Sequence, residues 1–262
     1  MKSEVKKLLT LLAEKYENES FLADDPSQFM HKVKGVRNRE AMAFTAAGLS
    51  FGSRKQFIPK IAYILDISNG EIDKWIREAK FNKTFLADSH KPFYRFFTES
   101  TMNAFFSVYR DILTRYGSLG EYLKACGVND GLTAVETIVE AFKCSKGEYS
   151  VVPKNAKSAC KRVCMFLRWM VRDNSCVDLG LWSSFIAKDS LIMPLDTHVL
   201  TQAKHLGLIS SKTSSMSVAL NLTKKLKEVF PLDPLKADFA LFGYGANDGS
   251  LLILSEVNCV SG

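Results

Sequence analysis

Lys157-Ser158-Ala159-Cys160-Lys161-Arg162-Val163-Cys164-Met165-Phe166-Leu167-Arg168-Trp169-Met170-Val171-Arg172 is apolar around most of a helical circumference, as expected of a helix sunk in the middle of a protein. Reading outward from it, apolar residues recur at helical spacing in both directions, beginning with Val5, Leu8, Leu9, Leu12 and Tyr16. Two-residue alternation of any length is hard to find, so the fold class is all-α. Helices are expected over Glu40–Ser50, Lys55–Leu65, Gly70–Ala79, Met102–Tyr116, Leu119–Cys126, Leu132–Cys144, Ala156–Arg172, Asp196–Leu206, Ser215–Val229 and Leu235–Tyr244. Glycine- and proline-bearing breaks separate them, at Asp24-Asp25-Pro26, Gly117-Ser118, Gly127–Gly131, Val152-Pro153 and Pro231–Pro234. With no repeat, low-complexity tract or long charged linker, residues 1–262 read as one unit of two helical lobes. A cleft between lobes is a natural ligand site.

The chain has 262 residues, 47% of them hydrophobic, enough to bury a core. Thirty-five Lys and Arg against 28 Asp and Glu give a net charge of +7 and a pI near 9.0. That balance favours an anionic partner such as nucleic acid. The six cysteines form no C-x-x-C pair or repeated metal spacing; they read as reduced thiols of a cytoplasmic protein, with no metal and no iron–sulfur cluster expected. Glu4, Glu14 and Lys15 interrupt the Leu-rich start before a signal-peptide core forms, and no run reaches transmembrane length. A monomer with no membrane partner is expected.

Two local patterns carry chemistry. Taken as one helix from Ala156 to Arg172, at roughly 100° per residue, Lys157, Lys161, Arg168 and Arg172 fall in a sector of about 60° with Cys164 at its edge. Such a stripe is either a solvent-facing side, with long side chains lying over apolar neighbours, or a cationic wall that binds phosphate. A lysine crowded by cations has more of its amine neutral and nucleophilic, and Lys161 is the candidate. Farther on, the apolar Leu191-Ile192-Met193-Pro194-Leu195 should run extended into the next helix and place Asp196 or Thr197 at its N-terminus. Asp196 is then an ordinary helix cap, or a partly buried carboxylate with a task. His198, two residues along, does not share its face and is given no role.

Pro194-Leu195-Asp196-Thr197-His198-Val199, followed by Leu200–Leu208, resembles the catalytic segment of endonuclease III and 8-oxoguanine glycosylase relatives, the helix-hairpin-helix DNA glycosylases. In them an invariant Asp stands in a Val-Asp-Thr-His/Asn-Val context ahead of a helix ending near Arg-Leu-Gly-Leu. Lys161–Leu167 is similar to the helix that bears the Schiff-base lysine in the bifunctional members, and Asp233–Gly243 is similar to their late helix. The resemblance spans Lys157–Tyr244 and makes residues of about 150–245 the catalytic-like region. It implies a two-lobed helical bundle of the glycosylase kind, with Lys161 and Asp196 catalytic. It also implies a duplex DNA partner carrying a damaged or abasic site, and Lys157, Arg168, Arg172 and Arg54 as DNA contacts.

The pattern departs from the family in three places. Val152-Pro153-Lys154-Asn155-Ala156 stands where a Leu-Pro-Gly-Val-Gly hairpin would hold a DNA phosphate on backbone amides. Lys161 and Asp196 lie 35 positions apart, so Asp173–Asp189 is an insertion. Aligning on Pro153 puts Ser158 at the lysine position, aligning on the apolar helix selects Lys161, and an archaeal-type spacing selects Cys164; Lys157 shares the same face as a second amine.

Ala46–Arg54 resembles the glycosylases' early helix and base-contacting loop, although small-residue packing before a glycine turn explains the same string. Arg54, Lys55 and Gln56 are its candidate contacts. Trp169, Trp182 and Phe239 could stack on an extruded base, but aromatic residues at helical spacing are more commonly core. The implied function is a DNA repair glycosylase with or without AP-lyase activity. The alternative is a nucleic-acid-binding protein that keeps the scaffold without the chemistry.

Overall fold

A computed structural model describes residues 1–143 and 150–247. In chain order the helices are α1 (Ser3–Tyr16), α2 (Gln28–His31), α3 (Val36–Leu49), α4 (Arg54–Ile67), α5 (Ile72–Arg77), α6 (Glu99–Tyr116), α7 (Leu119–Ala125), α8 (Gly131–Ala141), α9 (Lys161–Val171), α10 (Thr197–His205), α11 (Met216–Leu226) and α12 (Lys236–Asn247). The fold is all-α. Cys144, where the α8 segment was expected to end, lies outside the described residues. No helix among the described residues is long and apolar enough to cross a membrane.

The helix starts follow local chemistry. Side-chain oxygens of Thr98, Ser118, Asp130, Asp196 and Ser215 accept first-turn amide N–H groups at the heads of α6, α7, α8, α10 and α11, the usual answer to donors that lack an intrahelical partner. Glu40, buried on α3, adds carboxylate bonds to the amides of Leu119 (2.7 Å) and Gly120 (3.2 Å) and to Trp182 Nε1 (3.1 Å). Burial nevertheless raises its carboxyl pKa.

Sequence periodicity gave no warning of a small hairpin, β1 (Pro92–Tyr94) with β2 (Phe97–Thr98). These strands are too short for a two-residue period to show. They pair antiparallel across a turn in which Arg95 takes the left-handed region (φ 50°).

Helix α9 packs on α3 and α8; its Phe166 meets Phe44 of α3 at 4.9 Å and Trp182 at 5.1 Å. Helix α3 also packs against α2, α4 and α5, and the run α5–α6–α7–α8 leads back to α9 through neighbouring contacts, while α12 packs against both α1 and α10. A Cβ added at Gly243 would sit 2.6 Å from the Tyr16 ring, so this glycine sets how closely α1 and α12 approach. The buried apolar side chains form one continuous core.

Candidate active site

A cleft of about 850 Å³ opens where the Ser50–Ser53 turn, the head of α4, the heads of α9 and α10, and Phe242 of α12 converge. Lys161, the first residue of α9, and Asp196, which caps α10, face each other across it. Asp196 Oδ1 accepts the Val199 N–H at 2.8 Å, and Oδ2 lies 3.9 Å from Lys161 Nζ. The Lys161 side chain is 29% exposed and that of Asp196 16%, so both are reachable yet largely withdrawn from water. Asp196 is therefore a helix cap with a second oxygen left for chemistry. The extended Leu191–Leu195 segment sets its position, anchored where the Met193 N–H donates to Thr223 Oγ1 at 2.9 Å.

The helix expected from Ala156 begins five residues later. Asn155 Oδ1 accepts the Lys157 N–H (3.1 Å), Ser158 bridges to Ser215, and Cys160 takes a left-handed φ of 45°, a conformation that cannot continue a right-handed helix. Lys157 is therefore exposed in a turn, off the face of α9 and out of the cleft lining, which corrects its expected place beside Lys161. Ser158 lines the cleft from that turn. Cys164 is buried with its thiol donating to the Ala159 carbonyl, and burial raises its pKa. Of the alternatives for the reactive position, Lys161 is the amine at the carboxylate.

Arg168 and Arg172 do not form the expected DNA-contacting stripe. Both are 2% exposed. Arg168 donates to Asp178 (3.2 Å) and Asp238, and Arg172 donates to Asp178, three times to Asp233 (2.8, 2.8 and 3.1 Å) and to Glu17 (2.9 Å). Both guanidinium groups lie over the Phe239 ring, at 4.5 and 5.2 Å. The Asp173–Asp189 segment supplies Asp178, whose side chain is fully buried. The same loop closes the end of α9, because Leu179 and Trp182 donate backbone N–H groups to the carbonyls of Trp169 and Met170, each at 2.7 Å. Neutralised on all sides, these arginines stabilise the fold and meet no solvent.

Arg54 does line the cleft, its guanidinium 5.4 Å from the Phe242 ring centre. Trp169, Trp182 and Phe239 are core. The sequence reading missed Arg162, Phe51, Met165 and Phe242, all of which line the cleft. Arg162 falls outside the 60° sector and borders the cleft at the head of α9. His198 also reaches the cleft, edge-on to Phe242 at 5.9 Å.

Fold and site together define an all-α protein in which an amine and a carboxylate from two helix heads meet in one cleft. The chain belongs to the family described as a protein of unknown function (DUF2400), which matches residues 25–247. That span contains both Lys161 and Asp196 and leaves α1 outside. No curated protein and no solved structure matches the chain.

Proposed function

We propose that the cleft is the active site of a DNA glycosylase with AP-lyase activity, acting on a damaged base turned out of the duplex. The observation that carries this reading is Lys161 Nζ lying 3.9 Å from Asp196 Oδ2 inside an 850 Å³ cleft. Ligand sites span about 300–1,000 Å³, so an extruded nucleotide fits. The net charge of +7 suits a polyanion.

The neutral amine of Lys161 attacks the sugar's anomeric carbon. As the N–C bond forms, the glycosidic bond breaks and its electron pair leaves with the base, which takes up a proton. Asp196 stabilises positive charge on the sugar and accepts a proton from the attacking amine. Ring opening yields an imine, and loss of a 2′ proton then expels the 3′ phosphate.

The test is incubation with duplexes bearing abasic, 8-oxoguanine, uracil or alkylated sites, with borohydride added to reduce any imine. A covalent adduct that disappears in Lys161→Gln supports the lyase. Base release with no adduct, abolished by Asp196→Asn, replaces it with a monofunctional glycosylase using water. Binding without either sinks the enzyme and leaves the non-catalytic scaffold, which the glycine-free turn at 152–156 favours.

A further inference from the structure

Helix α9 and its C-cap Arg172 present four cations, and the protein treats them differently. Arg168 and Arg172 are enclosed by carboxylates, and Lys161 faces Asp196. Among the described residues no carboxylate lies within ion-pair distance of Arg162. Its guanidinium donates to the Gly48 carbonyl oxygen at 2.5 Å and lies over the rings of Phe51 (5.1 Å) and Phe97 (5.8 Å). Withdrawal from water pulls its pKa down to about 10. A guanidinium has five N–H donors, and a single carbonyl leaves most of them, and the charge, uncompensated.

Two more arginines, without an acidic partner among the described residues, frame the same turn. Arg54 lies over Phe242 within the cleft, and Arg95, at the hairpin tip, lies 5.6 Å from the Phe51 ring centre. Gly52 makes room for it: a Cβ there would sit 2.6 Å from Arg95 Nη1. Three guanidinium groups are thus held on aromatic rings around Phe51-Gly52-Ser53. The head of α9 adds to the positive field, because no side chain caps it. Where the fold buries arginines for structure, it supplies carboxylates within the same helix's reach. Asp25 and Asp196 line the cleft as well, but among the described residues no carboxylate lies within ion-pair distance of Arg162, Arg54 or Arg95, so their counter-charge falls to a ligand.

We infer that Arg162 and Arg54 hold a phosphate oxyanion in the cleft, with Arg95 extending the subsite to its mouth. Resting on the function proposed above, the oxyanion is a backbone phosphodiester of the nucleic acid, which seats the neighbouring nucleotide at Lys161. Arginine side chains here do the work that backbone amides of a glycine hairpin would otherwise do. A free phosphate group on a small molecule has the same chemistry, and the test separates the two.

Inorganic phosphate is titrated into the wild-type protein while the Nε–H resonances of Arg162 and Arg54 are followed by NMR; both are expected to shift saturably. In parallel, affinity for a duplex with a stable abasic analogue is measured across salt concentrations for wild type, Arg162→Gln and Arg162→Lys. Arg162→Gln is expected to bind about 10- to 100-fold more weakly at fixed salt and to lower the log–log salt slope by about 1, with Arg162→Lys in between. Should Arg162→Gln not fold, wild-type protein is tested on duplexes with single uncharged methylphosphonate linkages, one of which must cause the same loss.

Arginine resonances that ignore phosphate, or unchanged affinity and salt slope in folded Arg162→Gln, overturn the subsite even if the borohydride adduct forms. Saturable phosphate shifts without duplex binding keep the subsite, assign it to a phosphorylated small molecule and reject the glycosylase instead.

Discussion

Asp196 has two jobs that substitutions can separate. Asn keeps a side-chain oxygen for the Val199 N–H and is as good a helix cap as Asp, whereas Ala removes the cap at a typical cost of about 1 kcal/mol. Asp196→Asn is therefore expected to melt within a degree or two of wild type while losing base release, and Asp196→Ala to be measurably less stable by urea titration. Base release retained by folded Asp196→Asn would make the residue's role purely structural. At Cys160, held at φ 45°, a β-branched residue is disfavoured in left-handed backbone. Cys160→Val should lose about 1–3 kcal/mol in the same titration.

At the scale of elements, the arginine–carboxylate cluster joins α9 to α12, to the Asp173–Asp189 loop and to the end of α1. Asp178 accepts from both arginines, so Asp178→Asn leaves two buried guanidinium groups under-compensated and is expected to cost about 3–5 kcal/mol in denaturant unfolding.

Asp238 gives the cluster a pH signature. Arg168, Asp196 and Lys161 all act on its carboxyl, and burial outweighs the attraction of Arg168, pushing its pKa up to about 6 from 3.8. A raised folded-state pKa means the native protein binds the extra proton between those values. This group's contribution to stability is therefore fully present below pH 4 and is lost as pH rises through 6. At 1.36 kcal/mol per pKa unit, the difference in unfolding free energy between wild type and Asp238→Asn should move by about 3 kcal/mol in favour of the variant from pH 4 to pH 7. A constant difference across that range refutes the assignment.

Across the whole molecule, α1 lies remote in sequence from both candidate catalytic residues but supports one wall of their cleft. It packs along α12, which carries Phe242 into the cleft and Asp238 into the arginine cluster, while Glu17, just past α1, pairs with Arg172. Gly243→Ala forces a methyl group into the Tyr16 ring and is expected to cost about 1–3 kcal/mol in thermal unfolding. It should also weaken binding of the abasic duplex, because α12 must shift. Loss of stability with binding unchanged would show that α12 and the cleft are not mechanically linked.

Local sequence was enough to determine the longer helices, many of their ends and the place of Asp196, though not the short α2 or the start of α9, because apolar period, capping oxygens and glycine breaks act within a few residues of one another. It also marked Lys161 and Asp196 as a pair, through a resemblance rather than through geometry. Only the tertiary structure decided which cations face the cleft. A helical wheel drawn from Ala156 groups Lys157, Arg168 and Arg172 with Lys161, but the left-handed Cys160 cuts Lys157 away, and four carboxylates from distant segments take Arg168 and Arg172 into the core. Arg162, off that wheel's stripe, was left at the cleft without a counter-charge. Burial of a charge depends on partners that folding brings from 6 to 155 residues away, and no local pattern records them.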